Sequence, residues 1–256
     1  MKPANAIIQE VRSETATIRT FRFDLDLDPA PGQYAMIWIR GVDEIPMSFS
    51  SEDMITVSAV GDATNRLFGL GAGSSLGIRG PLGNGFVLRG DKILLVGGGV
   101  GVAPLAFLGE QAKSSGIDVT SLIGFRSSQD MIFRSRFQSL GDLLITTDDG
   151  SLGIHGRVAA GLMDLDLSEY SQIYLCGPEL MMWDIISKAS DHAHRIQACI
   201  NRYFKCALGI CGSCCLDNDG FRTCVEGPVV MADRLLNSEF GRYRRGPTGG
   251  IGECRG

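Results

Sequence analysis

The chain has 256 residues, 44% hydrophobic and 21% charged, with a formal net charge of -5. Such a balance describes a globular protein with room for two compact domains and a small appendage, and it excludes low-complexity and fibrous polymers. No basic stretch and no apolar run of membrane-spanning length occurs, so neither nucleic acid nor a bilayer is expected as a partner.

Residues 5–90 read as short strands between Gly and Pro punctuation. Ala6 to Val11, Thr17 to Leu25, Tyr34 to Ile39 and Met54 to Val60 carry β-branched or aromatic residues. Strands at this spacing predict a small antiparallel β-barrel over residues 1–90, with one helical interruption from Thr64 to Leu70. At Asp91 the pattern changes. Lys92 to Val96 is an apolar strand, followed by Gly97-Gly98-Gly99-Val100-Gly101 and a helical run from Leu105 to Ser114. Strand Val119 to Phe125, helix Gln129 to Leu140, strand Leu143 to Thr146 and strand Ile173 to Leu175 come next. The last leads into Cys176-Gly177-Pro178 and a helix with Met182, Ile185, Ile186 and Ala189 at helical spacing. This alternation predicts an α/β domain over residues 91–198, a parallel sheet with helices on both faces. Met181, Met182 and Trp183 are expected to pack in its core rather than line a binding site. Residues 199–256 hold a cysteine-rich segment, then a Gly- and Arg-rich tail from Phe240 that is expected to be poorly ordered.

The glycine turn follows a buried strand and opens a helix, where a dinucleotide pyrophosphate can approach the backbone and the positive helix end. Gly97, Gly98, Gly99 and Gly101 are therefore candidate nucleotide-binding positions. Tight strand–helix packing is the competing use, since Val102 breaks a strict G-x-G-x-x-G. Cys176, Gly177 and Pro178 stand at the C-terminal end of a late strand, where open α/β sheets bind ligands. A small apolar strand cap is an equal alternative for Cys176. In the first domain, Pro46-Met47-Ser48-Phe49, Gly61-Asp62-Ala63-Thr64 and Gly80-Pro81-Leu82-Gly83-Asn84-Gly85-Phe86 offer hydroxyls and turn amides suited to a flavin and its phosphates. Each alone is ordinary turn chemistry. No histidine grouping, nucleophile elbow or carboxylate pair points to an acid–base catalyst, so no catalytic side chain is expected.

The most specific signal is Cys206, Cys211 and Cys214 at C-x4-C-x2-C, with Cys224 ten residues on, the spacing of plant-type 2Fe–2S sites. Thiolate is the soft donor that iron–sulfur chemistry needs. Gly209 and Gly212 let the loop fold tightly and aim N–H groups at sulfur. Structural zinc usually takes two short cysteine knuckles, which this loop lacks. Disulfides are disfavoured because Met1-Lys2-Pro3-Ala4-Asn5 opens no signal peptide, so eight cysteines imply a reducing, cytoplasmic setting. Cys176 and Cys199 lie in apolar runs and need no ligand role, and using Cys215 would break the spacing.

Taken together, the barrel motifs, the glycine turn, Cys176-Gly177-Pro178 and the four cysteines resemble the ferredoxin–NADP reductase superfamily. Within it the chain, up to about Val229, resembles the electron-transfer subunits of two-subunit, NAD-linked dihydroorotate dehydrogenases. The resemblance implies FAD held by Pro46, Met47 and Ser48, by Thr56, Val57 and Ser58 on the next strand, and by Ala63 and Thr64 at the phosphate-side turn. It implies NAD at the second domain and a 2Fe–2S cluster on Cys206, Cys211, Cys214 and Cys224. One departure stands out: the family commonly has Arg before the Pro of the flavin motif, and Ile45 occupies that position here. Arg66 or Arg79 would have to serve the flavin phosphate instead, or backbone amides alone.

The resemblance also implies a partner, an FMN-containing catalytic subunit in a heterotetramer that oxidises dihydroorotate to orotate in pyrimidine biosynthesis. Electrons would pass through the cluster to FAD and on to NAD, and the cysteine loop would be the docking face. The chain has neither the length nor the pattern of a (β/α)8 barrel, so it is not expected to oxidise dihydroorotate alone. The same plan in another cytoplasmic electron route, such as a hydrogenase or sulfide dehydrogenase, is the alternative. A redox sensor would hold a cluster without a flavin. Arg126-Ser127-Ser128 follows a strand where the adenosine ribose should lie and could pair with a 2′-phosphate, whereas the resemblance implies NAD.

Overall fold

The computed structural model describes residues 2–254. The first six strands are β1 (Ala4–Ser13), β2 (Ile18–Phe23), β3 (Tyr34–Ile39), β4 (Asp43–Ser51), β5 (Met54–Ser58) and, after helix α1 (Asp62–Phe68), β6 (Ser75–Leu82). They close into an antiparallel barrel in the order β1-β2-β5-β4-β3-β6. Alternation along β3 sends Ala35, Ile37 and Ile39 into a core shared with Phe21, Phe49 and Ile55. Tyr34 and Met36 point outward and are equally buried, because a distant part of the chain covers that face. Trp38, the next residue on the same face, is 41% exposed, so the cover ends there.

Pro46-Met47-Ser48-Phe49, read from the sequence as turn chemistry, lies within a strand. Asp43, Glu44 and Pro46 disguise β4 in the sequence, yet it pairs with β3 from Ile39–Asp43 to Tyr34–Ser48. Pairing with a long, apolar neighbour decides the conformation.

The second domain runs β7 (Lys92–Gly98), α2 (Val102–Ser114), β8 (Asp118–Phe125), α3 (Arg134–Leu140), β9 (Gly141–Thr147), β10 (Ile154–His155), α4 (Val158–Leu162), β11 (Gln172–Cys176), α5 (Glu179–Lys188) and β12 (Ile196–Cys199). The sheet order is β10-β9-β8-β7-β11-β12, all parallel, extended by β13 (Val229–Met231) antiparallel to β12. Leu94, Val96, Leu122 and Leu175 pack against α4, α5 and α6 (Ala232–Leu236) on one face, while Ile93, Leu95 and Ile123 pack against α2 and α3 on the other. Helix α2 is apolar nearly all round because it is wedged between sheet and barrel, and its Phe107 sits in the barrel core. Arg136 of α3 completes the joint, gripping both oxygens of Glu110 at 2.7 and 2.8 Å and donating to the Ser50 carbonyl at 2.9 Å.

Two expectations need correction. The helix over Gln129–Leu140 begins only at Arg134, after a 3-10 turn over Ser128–Asp130. Ser127 Oγ donates to Asp130 at 2.8 Å to pin that turn, and Met131, Ile132 and Phe133 then run into the α2-side core. Phe133 has φ +59 and stops a helix from extending backward. From Phe240 to Cys254 the tail is folded as well. Phe240 is fully buried, and β14 (Tyr243–Arg245) pairs with β15 (Ile251–Glu253). Tyr243 and Arg245 both bond Asp217 at 2.8 Å, which ties the hairpin down.

Between β12 and β13, residues 200–228 form a lobe with isolated bridges but no helix or strand. It carries the four spaced cysteines.

Candidate functional site

Strands β7, β8, β9 and β11 end side by side beneath the barrel and border a cavity of about 530 Å³. Gly98, Gly99 and Pro178 line it from the sheet side, and Thr17, Ser58 and Val60 from the barrel side. Gly97 and Gly101 stand behind this lining and are closely packed. A Cβ on Gly101 would meet Gly177 Cα at 2.6 Å and the Cys176 carbonyl at 2.7 Å, so only glycine lets the two turns touch. Cys176 is buried and is the register partner of Cys199 on β12. Hydrogen bonding with Cys199 and burial push its thiol well up, which keeps it neutral. The methionine pair divides its work: Met182 is core, as expected, whereas Met181 also lines the cavity. Arg126, Asp148 and Arg157 reach the same cavity. Of these the sequence pointed only to Arg126; Arg157, one residue before α4, had no signal.

The barrel residues divide by strand face. Pro46 and Ser48 stand opposite Met36 and Tyr34 and share their outward face, while Met47 packs toward the barrel core. Val57 is also core, and only Ser58 of its strand trio borders the cavity. Thr56 is buried in a hydroxyl chain, donating to Ser50 Oγ at 3.0 Å and lying 3.0 Å from Thr20 Oγ1. Ala63 packs against the barrel core. Thr64 Oγ1 accepts from the Val60 and Gly61 N–H groups and donates to the Gly61 carbonyl, each at 2.9 Å, so its hydroxyl is committed to the turn.

In the lobe, Gly209 and Gly212 take φ +72 and +74, and Ala207 takes φ +53 despite its Cβ. These bends turn the backbone inward. Cys206 Sγ accepts the N–H groups of Leu208 at 3.4 Å and Cys211 at 3.5 Å, and Cys214 Sγ accepts that of Cys224 at 3.4 Å. Burial pushes Cys206 up, but the N–H groups of Cys211, Leu208 and Ile210 outweigh it and bring the thiol down to about 6. Cys214 moves oppositely, to about 12, through burial and its neighbour Cys224. A buried thiol of that kind ionises only against a cation, and a sulfur that gathers amide N–H groups is prepared for thiolate charge. The donor set therefore fits an iron–sulfur cluster. Among the described residues, no three His, Cys, Asp or Glu side chains are grouped closely enough to hold a single metal ion as they stand.

Two contact sets hold the lobe. Toward the barrel, Tyr34 Oη donates to the Cys224 carbonyl at 2.9 Å and Arg79 Nη1 to the Cys206 carbonyl at 3.1 Å. Arg79 also grips Glu44 at 3.0 and 2.7 Å, so it is not spare for a flavin phosphate, and Arg66 lies exposed on α1. Toward the sheet, buried Arg202 bonds Glu179 at 2.9 Å and Glu239 at 3.1 Å. Glu179 opens α5 directly after Pro178, and Glu239 accepts the Asp217 N–H at 3.0 Å. Local sequence pattern gave no sign of the Arg202 network or of Tyr34.

A closed antiparallel barrel docked on a parallel sheet, with a ligand cavity at the strand ends and a lobe of spaced thiols, defines an iron–sulfur reductase of the ferredoxin–NADP reductase type. Residues 201–236, which include all four cysteines, match the iron-sulfur cluster binding domain of dihydroorotate dehydrogenase B. A protein of Methanocella arvoryzae named "Probable dihydroorotate dehydrogenase B (NAD(+)), electron transfer subunit" is 49% identical over 97% of this chain and 98% of its own. One of the same name from Methanocaldococcus jannaschii is 40% identical over 97% of each. Among solved structures, an NADH-dependent reduced ferredoxin–NADP oxidoreductase superposes with TM-score 0.83 at 26% identity, covering 93% of this chain and 90% of its own. The flavohem-like FAD/NAD binding domain of Vibrio cholerae nitric oxide dioxygenase shares the fold, with TM-score 0.67 at 21% identity over 77% of this chain and 98% of its own. The chain belongs to the family of dihydroorotate dehydrogenase B (NAD+) electron transfer subunits. As an electron transfer subunit it works with a separate catalytic partner. No helix among the described residues is long and apolar enough to cross a membrane.

Proposed function

We infer that this chain relays electrons between NAD and the FMN of a separate cytoplasmic subunit that oxidises dihydroorotate to orotate in pyrimidine biosynthesis, using FAD and a 2Fe–2S cluster. One observation carries the reading. The outward face of β3 and β4 that bears Pro46 and Ser48 also bears Tyr34 and Met36, and the cysteine lobe packs on it. Around the barrel, Ser58 faces the glycine turn across the cavity. Candidate flavin residues thus adjoin both neighbours with which electrons must be exchanged.

A flavin, when bound, exchanges a hydride with nicotinamide and single electrons with an iron–sulfur cluster, chemistry that belongs to the cofactor. The chain's own residues supply placement. Pro46, Met47, Ser48, Thr56, Val57, Ser58, Ala63 and Thr64 are the proposed FAD positions. Since Thr56 and Thr64 have committed hydroxyls, their part is to shape backbone. Gly97, Gly98, Gly99, Gly101, Cys176, Gly177 and Pro178 are proposed for NAD, with Gly98, Gly99 and Pro178 bordering the cavity directly. Cys206, Cys211, Cys214 and Cys224 are the proposed cluster ligands. The exposed side chains of Leu208 and Ile210 give the loop an apolar rim on which the partner docks, and a heterotetramer is the proposed assembly.

The test is Cys211→Ser in the full complex. It should abolish dihydroorotate-driven NAD reduction and spare NADH-driven ferricyanide reduction; loss of both in a folded, flavin-loaded variant contradicts the scheme. NADH should be oxidised faster than NADPH. The likeness to the solved ferredoxin–NADP oxidoreductase supports a second reading, the same plan in another electron route. Capture from native extract separates them: an FMN-bearing barrel partner supports the first, a hydrogenase or sulfide dehydrogenase subunit the second.

A further inference from the structure

The barrel grips the cysteine lobe by the main chain of the proposed ligand residues themselves. Tyr34 Oη reaches the carbonyl of Cys224, and Arg79 Nη1 that of Cys206. These are the last and first of the four spaced cysteines, so the two bonds pin both ends of the ligand loop. Both side chains are built in. Tyr34 is 2% exposed, with its ring against Phe204 at 4.8 Å between centroids. Arg79 is 6% exposed and is held from behind by both oxygens of Glu44. Their strands, β3 and β6, pair directly, and Met36 of β3 stands between Arg79 on one side and Pro46 of β4 on the other. A single hydrogen-bonded patch of barrel wall therefore carries the proposed flavin strand and both hooks. Asn84, just after β6, adds a bond to the Glu226 carbonyl at 3.0 Å, beyond the ligand cysteines, and apolar groups such as Leu82 and Val225 fill the rest of the contact without direction.

We propose that Tyr34 and Arg79 are positioning residues for electron transfer between flavin and cluster. They fix the ligand loop against the flavin-bearing wall and, as donors to the ligand carbonyls, favour the reduced cluster. The inference rests on the reading of the site given under Proposed function. Its electrostatic part follows from charge: reduction adds an electron, and a donor or cation that draws negative charge from the adjoining peptides stabilises it. Glu44 acts in the opposite sense, offsetting part of the Arg79 charge.

The experiment uses the full chain loaded anaerobically with flavin, iron and sulfide. Cluster potential is read by electron paramagnetic resonance during redox titration, and flavin-to-cluster transfer by rapid mixing with NADH. Tyr34→Phe keeps the ring and removes one donor; it should lower the cluster potential and slow transfer about fivefold, the equivalent of one buried hydrogen bond. Arg79→Gln should lower both further, and Glu44→Gln should raise the potential. Ferricyanide reduction and KM for NADH should stay within about twofold in all three. Unmoved potential and transfer in loaded Tyr34→Phe and Arg79→Gln, or a fall in potential for Glu44→Gln, overturns the proposal. So does ferricyanide reduction that drops in step with transfer, which would mean general loosening. Should Arg79→Gln fail to load a cluster, the opposite signs required of Tyr34→Phe and Glu44→Gln still decide. A wild-type chain that takes up no flavin or cluster overturns the underlying reading and this inference with it; a loaded wild type with unmoved variants overturns the inference alone.

Discussion

The cleft at the strand ends and the cysteine lobe are built by opposite means. The cleft lies where β7, β8, β9 and β11 stop, so backbone hydrogen bonding across a parallel sheet fixes its walls before any polar side chain contributes. The lobe has only isolated bridges and is held by side chains reaching in from elsewhere, Tyr34 and Arg79 from the barrel and Glu179 and Glu239 through Arg202. Regular structure spreads its stability over many weak contacts, whereas a buried polar network concentrates it in a few that must all be satisfied. Damage to the cleft should therefore come from sterics, and damage to the lobe from lost partners.

Arg202→Met attacks that contrast hardest. It leaves Glu179 and Glu239 buried without a counter-charge, which should cost about 4 kcal/mol in denaturant unfolding. Because Glu179 also begins the helix bordering the cleft, NADH binding and cluster retention should weaken together. A loss below about 1 kcal/mol would mean that the lobe is held some other way. Gly101→Ala should come next, at about 3 kcal/mol, because the new Cβ meets main-chain atoms that cannot yield. Here KM for NADH should rise while the cluster's resonance spectrum is unchanged. A disturbed cluster spectrum would show that the regions are not separable.

The thiols offer a comparison without mutation. In metal-free protein at pH 7, Cys206, at about 6, is mostly thiolate, while Cys176 is held neutral by Cys199 and burial. Allowing for the weaker nucleophilicity of a low-pKa thiolate, iodoacetamide should still modify Cys206 at least about a hundredfold faster, as read by mass spectrometry of the labelled peptides. The sign in pH is fixed: Cys206 reactivity should rise through about pH 6 and then level off. Equal labelling of the two sites would remove the electrostatic distinction between lobe and cleft.

What the sequence disclosed follows the same division. Lys92 to Val96, the glycine turn and the cysteine spacing are local patterns, and each is legible because its chemistry lies within a few residues. Arg79 and the Cys206 carbonyl are separated by 127 positions, and Tyr34 and Cys224 by 190, so no local window contains either bond. Tyr34 looked like one more aromatic strand residue, and only its burial on the outward face reveals the lobe above it. Strand β4 escaped notice for the converse reason. Its own residues argue against a strand, and β3 and β5 supply the pairing that overrides them.

Thr64 tests whether the barrel turn belongs with the cleft, as structure, or with the lobe, as function resting on one group. Its hydroxyl makes three hydrogen bonds, all within residues 60–64, and is itself buried. Thr64→Val keeps the shape and deletes those bonds, so it should cost about 1 kcal/mol through the lost cap of α1. Flavin affinity should then fall by no more than this loosening explains, about fivefold, since the turn still presents its backbone amides. A larger drop in flavin retention at unchanged unfolding midpoint would mean that the hydroxyl leaves the turn to meet the cofactor. The turn would then work as the lobe does, through a single polar group.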